Sequence, residues 1–191
     1  MGFKNIEFKN FYPIKKNKKI RQYFNELLYE YLNGKNQILL SLSKKYKLKK
    51  KLEKINKYKK FKNFRIFGMG GSILGAEAIY FFLNEKIKKK FEFINDLDSS
   101  YNQTLKKKRF NLIISKSGDT LESIVNLNAE KVKKNCLFIT ERKKSYLRTL
   151  ALKLKSEIVD HNNFIGGRYS VLSETGMIPA FFMGLDPNKF K

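Results

Sequence analysis

The residues able to do chemistry fall in three short runs. The first, Gly68-Met69-Gly70-Gly71-Ser72, follows an apolar stretch and leads into a helical pattern through Ile73-Leu74-Gly75. Glycines let a backbone turn sharply and approach a ligand without a Cβ in the way, and a helix start offers free amides to an anion or a polar sugar group. The same run can be a tight strand-to-helix turn with Ser72 as N-cap, and on this run alone both readings stand. It lacks the spacing of a dinucleotide fingerprint, and no Gly-Lys-Ser/Thr follows as in a Walker loop. The second run is Ser115-Lys116-Ser117-Gly118-Asp119-Thr120-Leu121-Glu122-Ser123. Its hydroxyls, its lysine and a permissive glycine at a helix start can surround a phosphate with short donors and the positive end of a helix dipole. Capping by Ser117 or Asp119, with Glu122 as reciprocal partner, uses the same orphan amides and is compatible with anion binding. The third run is Gly166-Gly167-Arg168-Tyr169-Ser170-Val171-Leu172-Ser173, followed by Gly176-Met177-Ile178-Pro179-Ala180. Arg168 is either a site residue or the partner of an acidic neighbour.

The elements that must position these runs are legible as a rhythm. Short apolar stretches at Phe64 to Phe67, Phe91 to Ile94, Phe110 to Ile114, Cys136 to Ile139 and, more weakly, Glu157 to Val159 read as strands. Helical patterns separate them at Ser72 to Leu83, Asp119 to Val132 and Ser145 to Leu154, with a shorter one after Ser100. Continuous apolar strands alternating with helices predict a doubly wound parallel sheet covered on both faces. Ligands in such folds sit at the carboxyl ends of strands near a topological switch point, which singles out the loops after Phe67 and Ile114. Ahead of this lies a helical arm, residues 1–60, with amphipathic helices at Ile20 to Leu32 and Ile38 to Tyr58. Its Tyr23, Phe24, Leu27, Leu28 and Tyr31 read as a packing face. Residues 61–191 form the second domain.

The Ser-x-Ser-Gly-x-Thr-x-Glu pattern of Ser115 to Glu122 after a strand resembles the sugar isomerase, or SIS, domains that bind phosphosugars. The third run is similar to the Gly-Gly-Arg-Phe/Tyr-Ser signature of the glucose-6-phosphate isomerase family. The order of Gly-Gly-Ser, Ser-Lys-Ser and Gly-Gly-Arg also matches that family. The resemblance covers Phe64 to Leu185 and implies a three-layer αβα, flavodoxin-like sandwich with a parallel sheet. It implies that Ser115, Lys116, Ser117 and Thr120 hold the substrate's phosphate, and that Gly71, Ser72 and Gly167 line the sugar. It further implies that Arg168 stabilises negative charge on an enediol while a carboxylate moves the proton between the aldose and ketose forms. A fixed guanidinium in a water-poor pocket has the directed donors for that task.

The chain departs from the family's pattern in two places. Asp119 stands where a neutral residue is expected, and its charge opposes a dianion unless the carboxylate points away as a cap. Glu174, just after the arginine motif, stands in a place expected to be less charged. It is not read as the base. In the family the base glutamate, the ring-opening histidine and a lysine lie further along the chain, in a second SIS domain, and none has a counterpart here. His161, the only histidine, matches no family motif and reads as a surface-loop residue between Asp160 and Asn163. Met177 to Leu185, broken only by Pro179, reads as a helix that nothing later in the chain covers. The chain therefore reads as the truncated N-terminal portion of an isomerase, inactive alone, from an enzyme expected to be a homodimer. A stand-alone SIS module that senses a phosphosugar, or an isomerase of another phosphosugar, is the alternative.

Composition narrows the partners. Of 41 basic residues only six are Arg, so the net charge of +24 is carried by Lys. Base and phosphate readers favour the planar arginine fork, so a solvated lysine surface is expected and a nucleic-acid partner is not. No apolar run has membrane-spanning length and Met1 to Asn10 lacks a signal-peptide core, which points to the cytoplasm. One Cys and one His offer no metal-ligand spacing, so neither a metal nor another cofactor is expected. Cys136, inside an apolar run, is expected to be a buried, unreactive thiol.

Overall fold

The computed structural model describes residues 18–34, 36–97 and 108–191. The chain divides into two compact units, one ending at Asn36 and one spanning Gln37–Lys191. In the first, helix α1 (Lys18–Asn33) forms where the periodicity places it, and none of its residues is buried. Its Tyr23, Phe24 and Leu27, expected to pack, are exposed.

The second unit opens with α2 (Gln37–Ser41) and α3 (Lys49–Ile55), followed by a 3-10 turn over Asn56–Lys60. The single helix expected from Ile38 to Tyr58 is thus interrupted. Serine hydroxyls compete there with the helical ladder: Ser41 Oγ donates to the Ile38 carbonyl, Ser43 Oγ donates to the Leu40 carbonyl, and Lys45 N donates to Ser43 Oγ. The break brings Leu48 and Ile55 into the core.

Then come β1 (Asn63–Phe67), α4 (Leu74–Phe82), β2 (Lys90–Ile94), β3 (Arg109–Ile114), α5 (Leu121–Ala129), β4 (Cys136–Glu141), α6 (Tyr146–Lys153), β5 (Glu157–His161) and α7 (Glu174–Met183). Every predicted strand is present. The helical pattern after Ser100 lies outside the described residues. The strands form one parallel sheet in the order β2-β1-β3-β4-β5, with Phe64 in register with both Phe91 and Phe110. The chain leaves β1 toward one edge and returns on its other side, so the switch point falls between β1 and β3.

Alternate strand residues serve two separate cores. Phe64, Ile66, Phe110, Leu112, Ile114, Ile139 and Val159 face α4 and α7, while Phe67, Ile113, Cys136 and Phe138 face α5 and α6. This is the three-layer α/β sandwich expected from the sequence. Phe182 of α7 stacks on Phe64 at 5.2 Å between ring centroids, and Phe64 stacks on Phe91 at 4.9 Å. Burial of such rings is the main driving force holding the layers together. The expectation that Met177 to Leu185 lies uncovered is overturned. Met177 to Ala180, Phe182 and Met183 are buried against the sheet and α4 within this chain. Cys136 is buried as expected, and burial pushes its thiol up to about 11.

Candidate functional site

The three runs converge at the carboxyl end of the sheet. The first follows β1 and the second follows β3, on either side of the switch point. The third lies between β5 and α7 and reaches the first through its backbone. A Cβ at Gly71 would stand 2.3 Å from the carbonyl carbon of Gly167, so only glycine permits this approach. Ser170 secures it, its Oγ lying 3.1 Å from the Gly71 carbonyl and 2.7 Å from the Gly167 carbonyl. Gly70–Ser72 is a 3-10 turn, and Ile73 rather than Ser72 occupies the N-cap of α4.

The Ser115–Thr120 loop holds three hydroxyls together. Ser115 Oγ lies 2.8 Å from Thr120 Oγ1, and Ser117 Oγ lies 3.3 Å from the same atom. Ser115 is buried and its Oγ accepts the Gly118 amide at 3.1 Å, while Ser117 Oγ accepts the Asp119 amide at 3.2 Å. Gly118 adopts φ +74°, and a Cβ there would fall 2.2 Å from Ser145 Oγ. The loop therefore needs glycine for both conformation and space. Thr120 is the N-cap of α5 but makes no side-chain capping bond, and the first-turn amides of a helix have no intrahelical acceptors. The expected cap by Ser117 or Asp119 is not formed on this helix. Asp119 instead accepts the Tyr146 amide of α6 at 2.7 Å.

Lys116 joins this loop to its neighbours. Its Nζ donates to the Asn163 carbonyl at 2.8 Å and pairs with Glu141 at 3.3 Å. Lys143 shares the same carboxylate at 3.2 Å. Glu141, at the end of β4, stands in register with His161, the last residue of β5. Glu141 and Asn163 were missed in the sequence, although the position of Glu141 at a strand's carboxyl end is a signal for the first.

Arg168 lies in the 3-10 turn Gly167–Tyr169 and is exposed. No ion pair ties it to an acidic side chain among the described residues, so the pairing reading is overturned.

His161 is not a surface-loop residue. It is a buried strand residue at 3 % exposure, its Nδ1 lies 2.8 Å from the Asn162 carbonyl, and its Nε2 has no hydrogen-bond partner among the described residues. Burial depresses its pKa, against the attraction of Glu174. Glu174, the first residue of α7, is fully buried, paired with Lys51 and hydrogen-bonded by the Tyr46 hydroxyl at 2.9 Å. Burial and that carboxylate raise the Tyr46 pKa well above its usual value. These partners explain how α7 tolerates a buried charge at its start, where the helix dipole also favours an anion. The Glu174 side chain is only 1% exposed.

Among the described residues no cluster of His, Cys, Asp and Glu could hold a metal, and no helix is long and apolar enough to cross a membrane. A groove of about 670 Å³ runs between α3 and the end of α7, lined by Tyr46, Leu52, Phe181 and Pro187, and it contains no residue of the three runs.

The fold is shared with solved structures. A hypothetical protein of Thermus thermophilus superposes with a TM-score of 0.66 over 89% of this chain and 47% of its own, at 23% identity. An E. coli CFT073 protein solved as a ligand complex superposes with a TM-score of 0.56 over 93% of this chain and 95% of its own, at 16% identity. At these identities the likeness is one of fold. In sequence, the chain is 34% identical to a glucose-6-phosphate isomerase of Methanocaldococcus jannaschii, over 65% of its own length and 33% of that protein. It is 32% identical to a glucose-6-phosphate isomerase of Acholeplasma laidlawii, over 65% of its length and 34% of that protein. The chain thus spans about a third of the length of the curated relatives it matches. No family model matches it.

Proposed function

We propose that this chain is the N-terminal, sugar-phosphate-binding part of a glucose-6-phosphate isomerase. The observation that carries this reading is the convergence of three separate motifs at one switch point, with Arg168 free of any acidic partner among the described residues. The phosphate sits at the start of α5, taken by the hydroxyls of Ser115, Ser117 and Thr120, by the free first-turn amides and by the charge of Lys116. Gly71, Ser72 and Gly167 line the sugar side, where the absence of side chains at the glycines lets the ring approach the backbone.

Isomerisation moves a proton between C2 and C1 through an enediol, and negative charge builds on the adjacent oxygens. Arg168, exposed and uncommitted, meets that charge with two directed donors. By the family resemblance, the base, the ring-opening histidine and the further lysine are proposed to come from a second SIS domain that these 191 residues do not supply. The reaction needs no metal or other cofactor. Similarity to two isomerases at 32–34% identity supports the reading. The whole enzyme is proposed to work in sugar metabolism, in the cytoplasm, as a homodimer.

A thermal-shift titration with fructose 6-phosphate tests the binding half of this proposal. A ligand that binds the folded state alone raises stability by mass action. Stabilisation of the parent chain that is lost in Ser117→Ala is expected. No shift at millimolar ligand would overturn the reading.

A further inference from the structure

We infer that Asp119 is a positioning residue: it locks the Ser115–Thr120 loop to the neighbouring helix α6 and turns its own charge into that helix, leaving the start of α5 clear for an anion. The inference rests on the sugar-phosphate reading above and concerns how the same site is held.

The start of α6 is served largely by the loop. Tyr146 N donates to Asp119 Oδ1 at 2.7 Å and Leu147 N donates to the Gly118 carbonyl at 2.9 Å. Arg148 N donates to Ser145 Oγ at 3.4 Å. Three amides that a helix start leaves unpaired therefore have acceptors, two of them from the loop. The Asp119 side chain accordingly interacts with the positive end of the α6 dipole, which offsets its charge. The helix that α5 begins is left with no side-chain cap at Thr120. The loop thus helps to close one helix start, with Asp119 as its side-chain acceptor, while the adjacent one has no side-chain cap.

The lock has a second element. Gly118 lies against Ser145 and Thr140, with no room for a Cβ, and Thr140 Oγ1 donates to the Lys116 carbonyl at 3.3 Å. Among the described residues, Asp119 is the side chain of the loop that reaches α6 by a hydrogen bond. Its own amide donates to Ser117 Oγ, so the side chain that clamps the loop is attached to the backbone that orients one of its hydroxyls. What the lock requires is an acceptor at Oδ1 and not a negative charge. An anionic side chain is tolerated in an anion site because the helix absorbs it.

The test compares Asp119→Ala, Asp119→Asn and Ser145→Ala with the parent. Affinity for fructose 6-phosphate is read by calorimetry, and amide hydrogen exchange is read at Tyr146 and Gly118 without ligand. Asparagine keeps the acceptor, alanine removes it, and Ser145→Ala removes the acceptor of Arg148 N at the same helix start while leaving the Asp119–Tyr146 bond in place. Loss of one such cap corresponds to about a fivefold change in an equilibrium. Asp119→Ala is expected to bind at least about fivefold more weakly and to lose protection at both amides, with Asp119→Asn and Ser145→Ala within about twofold of the parent in affinity. An Asp119→Ala protein that binds and exchanges like the parent overturns the inference. So does an Asp119→Asn protein as weak as Asp119→Ala, or one that binds several-fold more tightly than the parent, since the charge would then govern the site. A parent that binds no phosphosugar sinks the functional reading instead, and the exchange measurements then decide the lock by themselves.

Discussion

Gly71 and Gly167 meet backbone to backbone, but the contact is asymmetric: a Cβ at position 71 would fall 2.3 Å from the Gly167 carbonyl, whereas one at position 167 would come no nearer than 3.5 Å to Gly71 Cα. The first drives a side-chain atom into main chain that cannot give way, and the second is an ordinary contact. Gly71→Ala is therefore expected to cost about 2–3 kcal/mol, as overpacking does. Gly167→Ala should stay within about 0.5 kcal/mol of the parent. Urea denaturation of both variants measures the difference, and equal losses would show that the two loops are not in contact.

Arg168 is exposed and holds no ion pair among the described residues, so its removal should leave the fold intact. Arg168→Ala and Arg168→Lys are expected to melt within about 2 °C of the parent, because surface substitutions away from structural contacts change stability little. In the whole enzyme, lysine should fail to restore turnover, since a point charge lacks the two directed donors of a guanidinium. A kcat of Arg168→Lys close to that of the parent would remove Arg168 from the enediol.

The ion pair of Lys51 and Glu174 is unequally buried. The lysine side chain is 34% exposed and the carboxylate 1%. Removing the lysine strands a buried charge, whereas removing the carboxylate frees a lysine that can turn to water. Lys51→Met is expected to lose about 3 kcal/mol. Glu174→Gln should lose about 1 kcal/mol, because the amide keeps an acceptor for Tyr46. Denaturation midpoints of the two variants give the order, and the reverse order would mean that the pair is not enclosed in solution.

His161 makes stability depend on pH. Burial lowers its folded-state pKa below the ordinary 6.5, so the unfolded chain takes up the proton first as pH falls. The stability contributed by keeping this imidazole neutral is complete above pH 6.5 and is lost as pH drops from there toward the folded pKa. The slope for one such group approaches about 1.4 kcal/mol per pH unit. His161→Gln should be less sensitive to pH than the parent as pH falls below 6.5. Parallel curves for the two proteins in that window would show that His161 titrates alike in both states.

The sequence by itself determined the layers and the end of the sheet at which the three loops emerge. Continuous apolar runs such as Cys136 to Ile139 call for burial on both faces, and the helical periods between the strands favour a parallel sheet. That fixes where Gly71, Ser117 and Arg168 emerge, because loops after such strands all open at the same end of the sheet. Legibility ended where a side chain's partner is distant in sequence. Asp119 looked like a cap for its own helix and caps α6 instead, because the loop's left-handed turn at Gly118 carries it there. His161 looked exposed between polar neighbours, yet it ends an extended strand beneath α7. Glu174 looked out of place until the break in the helical segment after Gln37 delivered Tyr46 and Lys51 to it. Periodicity records which face a residue turns to the core, whereas burial and pairing of a charge depend on which other segment arrives opposite it, and only the packed tertiary structure decides that.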